Sequence, residues 1–67
     1  MKNWNHDLVQ QLSEDLDSLW RYEEYLKNSQ GCEHCTTMWK KFQAMDADKA
    51  EMLRKEIIRH VEEKRFD

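Results

Sequence analysis

The chain has no proline and a single glycine, Gly31, and these two facts limit its fold more than any other feature. Strands and tight turns need more breakers and more β-branched residues, so long helices are favoured. The helical pattern is interrupted only at 28–35, which reads Asn-Ser-Gln-Gly-Cys-Glu-His-Cys. Gly31 can adopt the left-handed conformation that ends a helix. The sequence therefore predicts an all-α fold, an antiparallel helical hairpin whose turn lies at about 29–32.

The first helix is predicted over about 5–29, with Asn3 or Asn5 as its cap. Spacings of three and four define its apolar stripe, and Glu23 occupies one core position of that stripe. The apolar members are Val9, Leu12, Leu16, Leu19 and Leu26.

The second helix is predicted over about 33–65 as one continuous element. Asp48 and Glu51 are spaced like a capping box, which would place a helix start inside it. That window contains two alanines and neither glycine nor proline, so an unbroken helix is favoured. The predicted stripe consists of Cys35, Met38, Trp39, Phe42, Met45, Lys49, Met52 or Leu53, Ile57, and His60 or Val61.

A single domain of 67 residues usually has only marginal stability unless a covalent crosslink, a bound metal ion or a partner chain stabilises it. Three tryptophans, two phenylalanines and four methionines exceed what one contact between two helices can cover. A large exposed apolar patch drives association. We therefore expect a homo-oligomer, dimeric or larger, in which two hairpins form a four-helix bundle.

Charge and hydropathy exclude several classes of partner. The net charge is −3, and acidic and basic residues are interspersed, which argues against binding to nucleic acid. The mean hydropathy is strongly negative, so no membrane-spanning segment is expected. No apolar core of a signal peptide follows Met1, and a cytoplasmic location is the default expectation.

Cys32 and Cys35 have the spacing at which two thiolates can bind one tetrahedral ion. His34 lies between them, and His60 of a second chain is a further candidate ligand. A closed zinc site needs four ligands, so a zinc or iron ion here requires a paired chain. Two alternatives remain open. Cys35 can be a small core residue with Cys32 an incidental thiol, or the two can form a redox or disulfide pair.

Three segments carry a family resemblance: Trp20-Arg21-Tyr22-Glu23-Glu24-Tyr25, Met38-Trp39-Lys40-Lys41-Phe42 and Asp46–Leu53. Together they resemble the ferritin-like superfamily, especially its half-size, two-helix members such as encapsulated ferritins, which dimerise into four-helix bundles. The resemblance implies a Glu-x-x-His metal motif on the second helix.

At the matching position this chain has Asp46-x-x-Lys49, and a protonated lysine cannot ligate a metal. Glu23 lies too near the turn to be the family's first-helix glutamate. The resemblance therefore supports the fold and argues against iron oxidation. We expect Asp46 and Lys49 to form a polar network at the dimer centre that sets its register.

No serine or cysteine has a recognisable catalytic base, and there is no glycine-rich phosphate loop. The leading hypothesis is a non-enzymatic, self-associating hairpin that serves as a protein-interaction module. One alternative is a metal-binding protein that uses the Cys32 and Cys35 turns of paired chains. A second alternative is a degenerate ferritin-like protein.

Overall fold

A computed structural model describes residues 2–66, which form two helices, α1 (Asn3–Asn28) and α2 (Glu33–Glu62). The helices pack against each other along a molecule about 50 Å long. The prediction of an all-α helical hairpin is confirmed. Within the described residues, neither helix is apolar over a length that could cross a bilayer.

The turn between the helices is closed by hydrogen bonds on both sides of Gly31. Gly31 has φ +94°, a conformation that residues with a Cβ rarely adopt. The Ser29 backbone N–H donates to the Tyr25 carbonyl, and the Ser29 hydroxyl lies 2.9 Å from the Thr36 hydroxyl. The buried Ser29 therefore links the last turn of α1 to the first turn of α2.

α2 runs without a break through 46–51, as the sequence predicts, but it ends at Glu62 rather than near 65. Lys64 has φ +58°, which reverses the chain. The Arg65 N–H donates to the His60 carbonyl at 2.7 Å, and the Lys64 N–H donates to the Val61 carbonyl at 3.0 Å. This pair of bonds is the Schellman motif, and it directs Arg65 back towards α1.

Asn5 links the two helices at the open end of the hairpin, where the start of α1 lies beside the segment that follows α2. Its side chain is fully buried, and its Nδ2 donates to the Arg65 carbonyl at 2.8 Å. Its Oδ1 lies 2.9 Å from His60 Nδ1. The prediction that Asn3 or Asn5 caps α1 is wrong, because Lys2 holds the cap position without a side-chain capping bond.

The face of α1 that packs on α2 differs from the predicted stripe at alternate positions. The half-buried residues Leu12, Leu19 and Leu26 agree with the prediction. The predicted core residues Val9, Leu16 and Glu23 are exposed. Leu8, Asp15 and Tyr22 are more buried than these. The physical reason is that Asp15 and Tyr22 find polar partners on α2, so they occupy the seam although their ends are polar.

On α2 the half-buried residues Trp39, Leu53 and Ile57 agree with the predicted stripe, and His60 is buried. The predicted stripe residues that are exposed are Cys35, Met38, Phe42, Met45, Lys49, Met52 and Val61. Ala50, which the stripe omits, is the buried apolar residue of the helix. Of the paired alternatives, Leu53 and His60 face the seam, and Met52 and Val61 do not. The rest of the predicted stripe is too wide, because it includes residues on the flank of α2 next to the seam.

Aromatic rings fill the half of the seam nearest the turn. The Tyr25 and Trp39 rings have centroids 4.8 Å apart, and the Tyr22 and Trp39 centroids are 5.9 Å apart. Phe42 meets Trp39 edge to face at 5.6 Å. Such pairs stabilise beyond their buried area, so this cluster is the main apolar contact between the helices.

Asn5→Ala is expected to destabilise the hairpin by about 2 kcal/mol, because it leaves His60 Nδ1 and the Arg65 carbonyl without their partner. Urea denaturation followed by circular dichroism, at one fixed chain concentration, measures the loss. Asn3→Ala is the matched control, since Asn3 is exposed two residues away. Equal stability of the two variants would contradict a structural role for the Asn5 contacts.

Candidate functional site

A polar network crosses the middle of the seam. The Tyr22 hydroxyl donates to Asp46 Oδ2 at 2.6 Å. The Lys49 ammonium lies 3.3 Å from Asp46 Oδ1 and 3.6 Å from Asp15 Oδ1. Gln11 Nε2 also donates to Asp15 Oδ1, at 3.0 Å. The network therefore connects Asp46 and Lys49, which lie one helical turn apart on α2, to side chains of α1.

These contacts change the acidity of the groups involved. The hydrogen bond from Tyr22 and the nearby Lys49 ammonium hold the pKa of the Asp46 carboxyl below its usual value. The same hydrogen bond, with burial, raises the pKa of Tyr22 to about 12. Asp46 and then Asp15 raise the pKa of Lys49. These shifts favour an ionised Asp46, a charged Lys49 and a neutral Tyr22 phenol.

Asp15 is the least satisfied member of the network. Its side chain is only 4% exposed. Its Oδ2 atom is buried and has no hydrogen-bond partner. A buried carboxylate oxygen without a donor is unfavourable. Two carboxylates share one ammonium here, so the network can take one more donor.

A shallow groove of about 540 Å³ runs along the hairpin beside Asp15. We call this side of the hairpin the groove side. The groove is lined by Leu8, Gln11, Asp15, Lys49, Met52, Leu53 and Glu56. It continues towards the turn past Ser18, Tyr22, Phe42 and Met45. The groove side thus presents apolar side chains of α2 around the exposed edge of the polar network.

The opposite side of the hairpin is also apolar. Successive helical residues are about 100° apart, so Val9, Leu16 and Trp20 point away from the groove-side residues Gln11, Asp15 and Tyr22. By the same geometry Ile58 and Val61 of α2 lie on that opposite side. All five are exposed. The chain therefore carries two distinct apolar surfaces.

Very little of the apolar surface is covered by the hairpin contact. Within residues 2–66, Ala50 is the single buried apolar residue, and ten large apolar side chains are exposed. The other buried residues are Asn5, Asp15, Ser29 and His60. The interior of the hairpin is therefore mainly polar, and most of its apolar side chains remain in contact with solvent.

The two cysteines lie side by side at the tip of the hairpin. Cys32 is the N-cap of α2, and its Sγ accepts a hydrogen bond from the Cys35 N–H at 3.4 Å. Both thiols are free and exposed. The interpretation of Cys35 as a core residue is therefore wrong, because its side chain is exposed at the tip of the hairpin.

The structure does not bring the other candidate ligands to these thiols. His34 is exposed, and His60 is buried at the far end of the hairpin. No three histidine, cysteine, aspartate or glutamate side chains within 2–66 are grouped so that they could hold a metal ion. A zinc or iron ion at Cys32 and Cys35 stays a prediction that depends on ligands from a second chain.

Of the three predicted core polar residues, Asp46 and Lys49 meet in the network, and Glu23 does not. Glu23 is exposed, since the adjacent Tyr22 faces α2 in its place. The α1 carboxylate that faces Asp46 and Lys49 is Asp15, which the apolar pattern placed outside the stripe. Antiparallel pairing about the turn places residues 12–16 opposite 46–49, so it brings Asp15 into this region but only as a flank of the predicted stripe. Apolar spacing gave no reason to prefer Asp15 to Leu12 or Leu16.

Comparison of the chain with protein-family models, with curated proteins and with solved structures finds no match. The ferritin-like resemblance therefore stays a prediction. In the structure the two positions it concerns are engaged with each other, because the Lys49 ammonium lies close to Asp46.

Tyr22→Phe is expected to raise the pKa of Asp46 towards the usual aspartate value, because the hydrogen bond from Tyr22 is the largest cause of its lowering. A pKa lowered in the folded state stabilises the fold above the usual pKa of about 4. That stabilisation is lost as pH falls through the folded-state pKa. The variant should therefore lose less stability on acidification. Carboxyl NMR titration and urea denaturation at neutral and acidic pH measure both effects.

Tyr25→Phe is the control, since Tyr25 belongs to the same aromatic cluster and the structure gives its hydroxyl no bond to Asp46. An unchanged titration of Asp46 in Tyr22→Phe would contradict the assignment.

Proposed function

We propose that the chain is a self-associating interaction module, which pairs through its groove side with a second copy to form a four-helix bundle. The observation that carries the proposal is the contrast between the single buried apolar residue, Ala50, and the ten exposed large ones among the described residues. Burial of apolar surface is the main driving force of folding and association. A chain that buries so little alone gains most by association.

The dimensions of the hairpin support a dimer of ordinary size. One side, 50 Å long and 15 Å wide, projects an area of about 750 Å², close to the roughly 800 Å² that each partner buries in a stable complex. A second hairpin of the same length covers such a side from end to end. Two helices laid on two give the bundle architecture, in which core residues come from all four helices.

The groove side is favoured over the opposite side by the polar network. Asp15 Oδ2 has no donor within residues 2–66, but this atom is buried and out of reach of a second hairpin. Lys49 has 55% of its side chain exposed, so its ammonium is the member of the network that can donate across an interface. A second copy that offers an acceptor to Lys49 meets the network at its exposed edge. Met45 and Met52 border the network, and methionine adapts well to apolar contacts.

A buried polar network costs stability but selects one alignment of the partners. A purely apolar groove would tolerate several registers of the second hairpin. The network therefore defines how two copies meet, while the surrounding apolar side chains supply the free energy of association. No step in this function requires catalysis.

Met45→Glu is expected to weaken self-association by at least about tenfold, because removing a carboxylate from water at an interface costs more than its pairing with Lys49, four residues on, returns. Sedimentation equilibrium at micromolar chain concentration gives the dissociation constants. The matched control is Leu16→Glu on the opposite side, since the two side chains are equally exposed, 54% for Met45 and 53% for Leu16.

Three results would decide against the proposal in different ways. If the unaltered chain is a monomer at these concentrations, self-association is excluded. If Leu16→Glu dissociates the oligomer and Met45→Glu does not, the interface lies on the opposite side. If both variants associate as the parent does, neither apolar surface forms the interface. Circular dichroism of each variant confirms that the helices remain.

A further inference from the structure

The thiols of Cys32 and Cys35 lie in one helical turn at the tip of the hairpin, outside the seam and the groove. Cys32 is the extended N-cap residue of α2, and Cys35 is in the first turn, where its backbone N–H points at Cys32 Sγ. Both side chains are exposed. Neither thiol is used in packing, and no role in self-association involves them.

We propose that Cys32 and Cys35 form a reversible dithiol–disulfide site that exchanges with low-molecular-weight disulfides, with Cys32 as the attacking thiol. One chain supplies everything that this reaction requires, since the two sulfur atoms belong to the same turn. A zinc site would need four ligands, and within 2–66 the structure groups fewer than three candidate ligands anywhere.

The surroundings of the two thiols give them different roles. Cys32 Sγ accepts a hydrogen bond from the Cys35 backbone N–H. The adjacent Cys35 thiol, with the backbone N–H groups of Cys35 and His34, lowers the pKa of Cys32. The N-terminus of a helix adds to this by favouring a negative charge. Cys35 donates to Cys32, which raises the pKa of Cys35. Cys32 is therefore the thiolate, and Cys35 keeps its proton until the second step.

The exchange proceeds in two displacements. The Cys32 thiolate attacks one sulfur of a small disulfide, a Cys32–sulfur bond forms, and the old disulfide bond breaks to release one small thiolate. Cys35 then gives up its proton and attacks Cys32 Sγ, which forms the Cys32–Cys35 bond and expels the second small thiolate. The two released thiolates take up protons. The cysteine pair loses two electrons, and the small disulfide gains them.

Closing this ring should leave the hairpin intact. The loop between the two cysteines contains only two residues, and a short loop constrains the unfolded chain little. Thr36, the next residue, keeps its hydrogen bond to Ser29 and so continues to link the helices beyond the ring. Oxidation at the tip is therefore separable from folding and from association.

The proposal is tested by incubating the reduced protein with oxidised glutathione at neutral pH. The reaction is quenched with an alkylating agent, and intact mass spectrometry identifies the products. The unaltered chain is expected to form the internal disulfide without accumulating glutathione. Cys35→Ser is expected to retain one glutathione on Cys32, because the second displacement is removed. Cys32→Ser should form its mixed disulfide at Cys35 more slowly at neutral pH, because Cys32 at the N-cap has a backbone N–H that stabilises its thiolate and so ionises more readily.

Iodoacetamide alkylation rates of the two single variants, measured against pH, check the assignment of the attacking thiol. In Cys35→Ser, Cys32 keeps the hydrogen bond from the residue 35 backbone N–H and is expected to reach its half-maximal rate below about pH 8.5, the ordinary value for cysteine. In Cys32→Ser, Cys35 loses the thiol that raises its pKa and is expected to reach half of its maximal rate near that ordinary value. The same assays on Met45→Glu, which is designed to weaken association, should give unchanged results.

Other outcomes would overturn the proposal. Stable addition of two glutathione molecules to the unaltered chain would show that the thiols cannot form a ring. Equal rates for the two single variants would remove the distinction between them. Protein purified without added metal that carries one zinc per two chains, lost in Cys32→Ser and Cys35→Ser, would assign the thiols to a metal site. The glutathione and alkylation results do not depend on whether the hairpin self-associates, whereas a zinc ion shared by two chains would.

Discussion

Polar side-chain contacts at three levels hold the two helices in register, and the rest of the structure depends on them. Asn5 meets His60 at the open end, the Asp15, Tyr22, Asp46 and Lys49 network crosses the middle, and Ser29 meets Thr36 beside the turn. Asn5 and His60 lie 26 and 29 residues from Gly31, and Asp15 and Lys49 lie 16 and 18, so these pairs share one antiparallel alignment. Tyr22 lies closer to Gly31 than Asp46 does, and its long side chain spans the difference. One antiparallel alignment therefore satisfies all of them, and a shift of one residue would leave buried polar groups unpaired.

A seam built in this way has a consequence for the apolar residues. Polar contacts specify an alignment but contribute little net free energy, because folding exchanges them for hydrogen bonds to water. Positions that would otherwise hold core aliphatic residues are used by Asp15 and Asn5, and residues such as Leu16 and Met45 lie outside. The alignment of the two helices is thus specific, while the apolar burial that stabilises the hairpin is small. This combination is expected of a chain whose fold gains stability by binding another chain.

Helicity, the turn at Gly31 and the continuity of α2 could be predicted from the sequence, because each depends on local preference and on the absence of breakers. The seam on α1 could not be predicted from apolar spacing. The heptad through Leu16 and Glu23 and the one through Asp15 and Tyr22 differ by a single residue. A carboxylate or a phenol is accepted in the seam only because Lys49 and Asp46 lie opposite, which is a property of the pair and not of either helix. Likewise asparagine is a common helix-capping residue, so the sequence suggests a cap at Asn5. Its burial is explained only by the hydrogen bond to Arg65, which the chain brings back to α1.

The polar network also links the fold to its assembly. Asp46 belongs to the seam through Tyr22, and its neighbour Lys49 is exposed on the groove side. Protonation of Asp46 removes the charge that holds Lys49 in place and weakens the hydrogen bond from Tyr22. In the dimer that we propose both groups lie at the interface, so acid would weaken the alignment of the two helices and the recognition of a second hairpin by the same event. The tip, with Cys32 and Cys35, contains no member of this network, so the thiol exchange that we propose there does not depend on the protonation of Asp46.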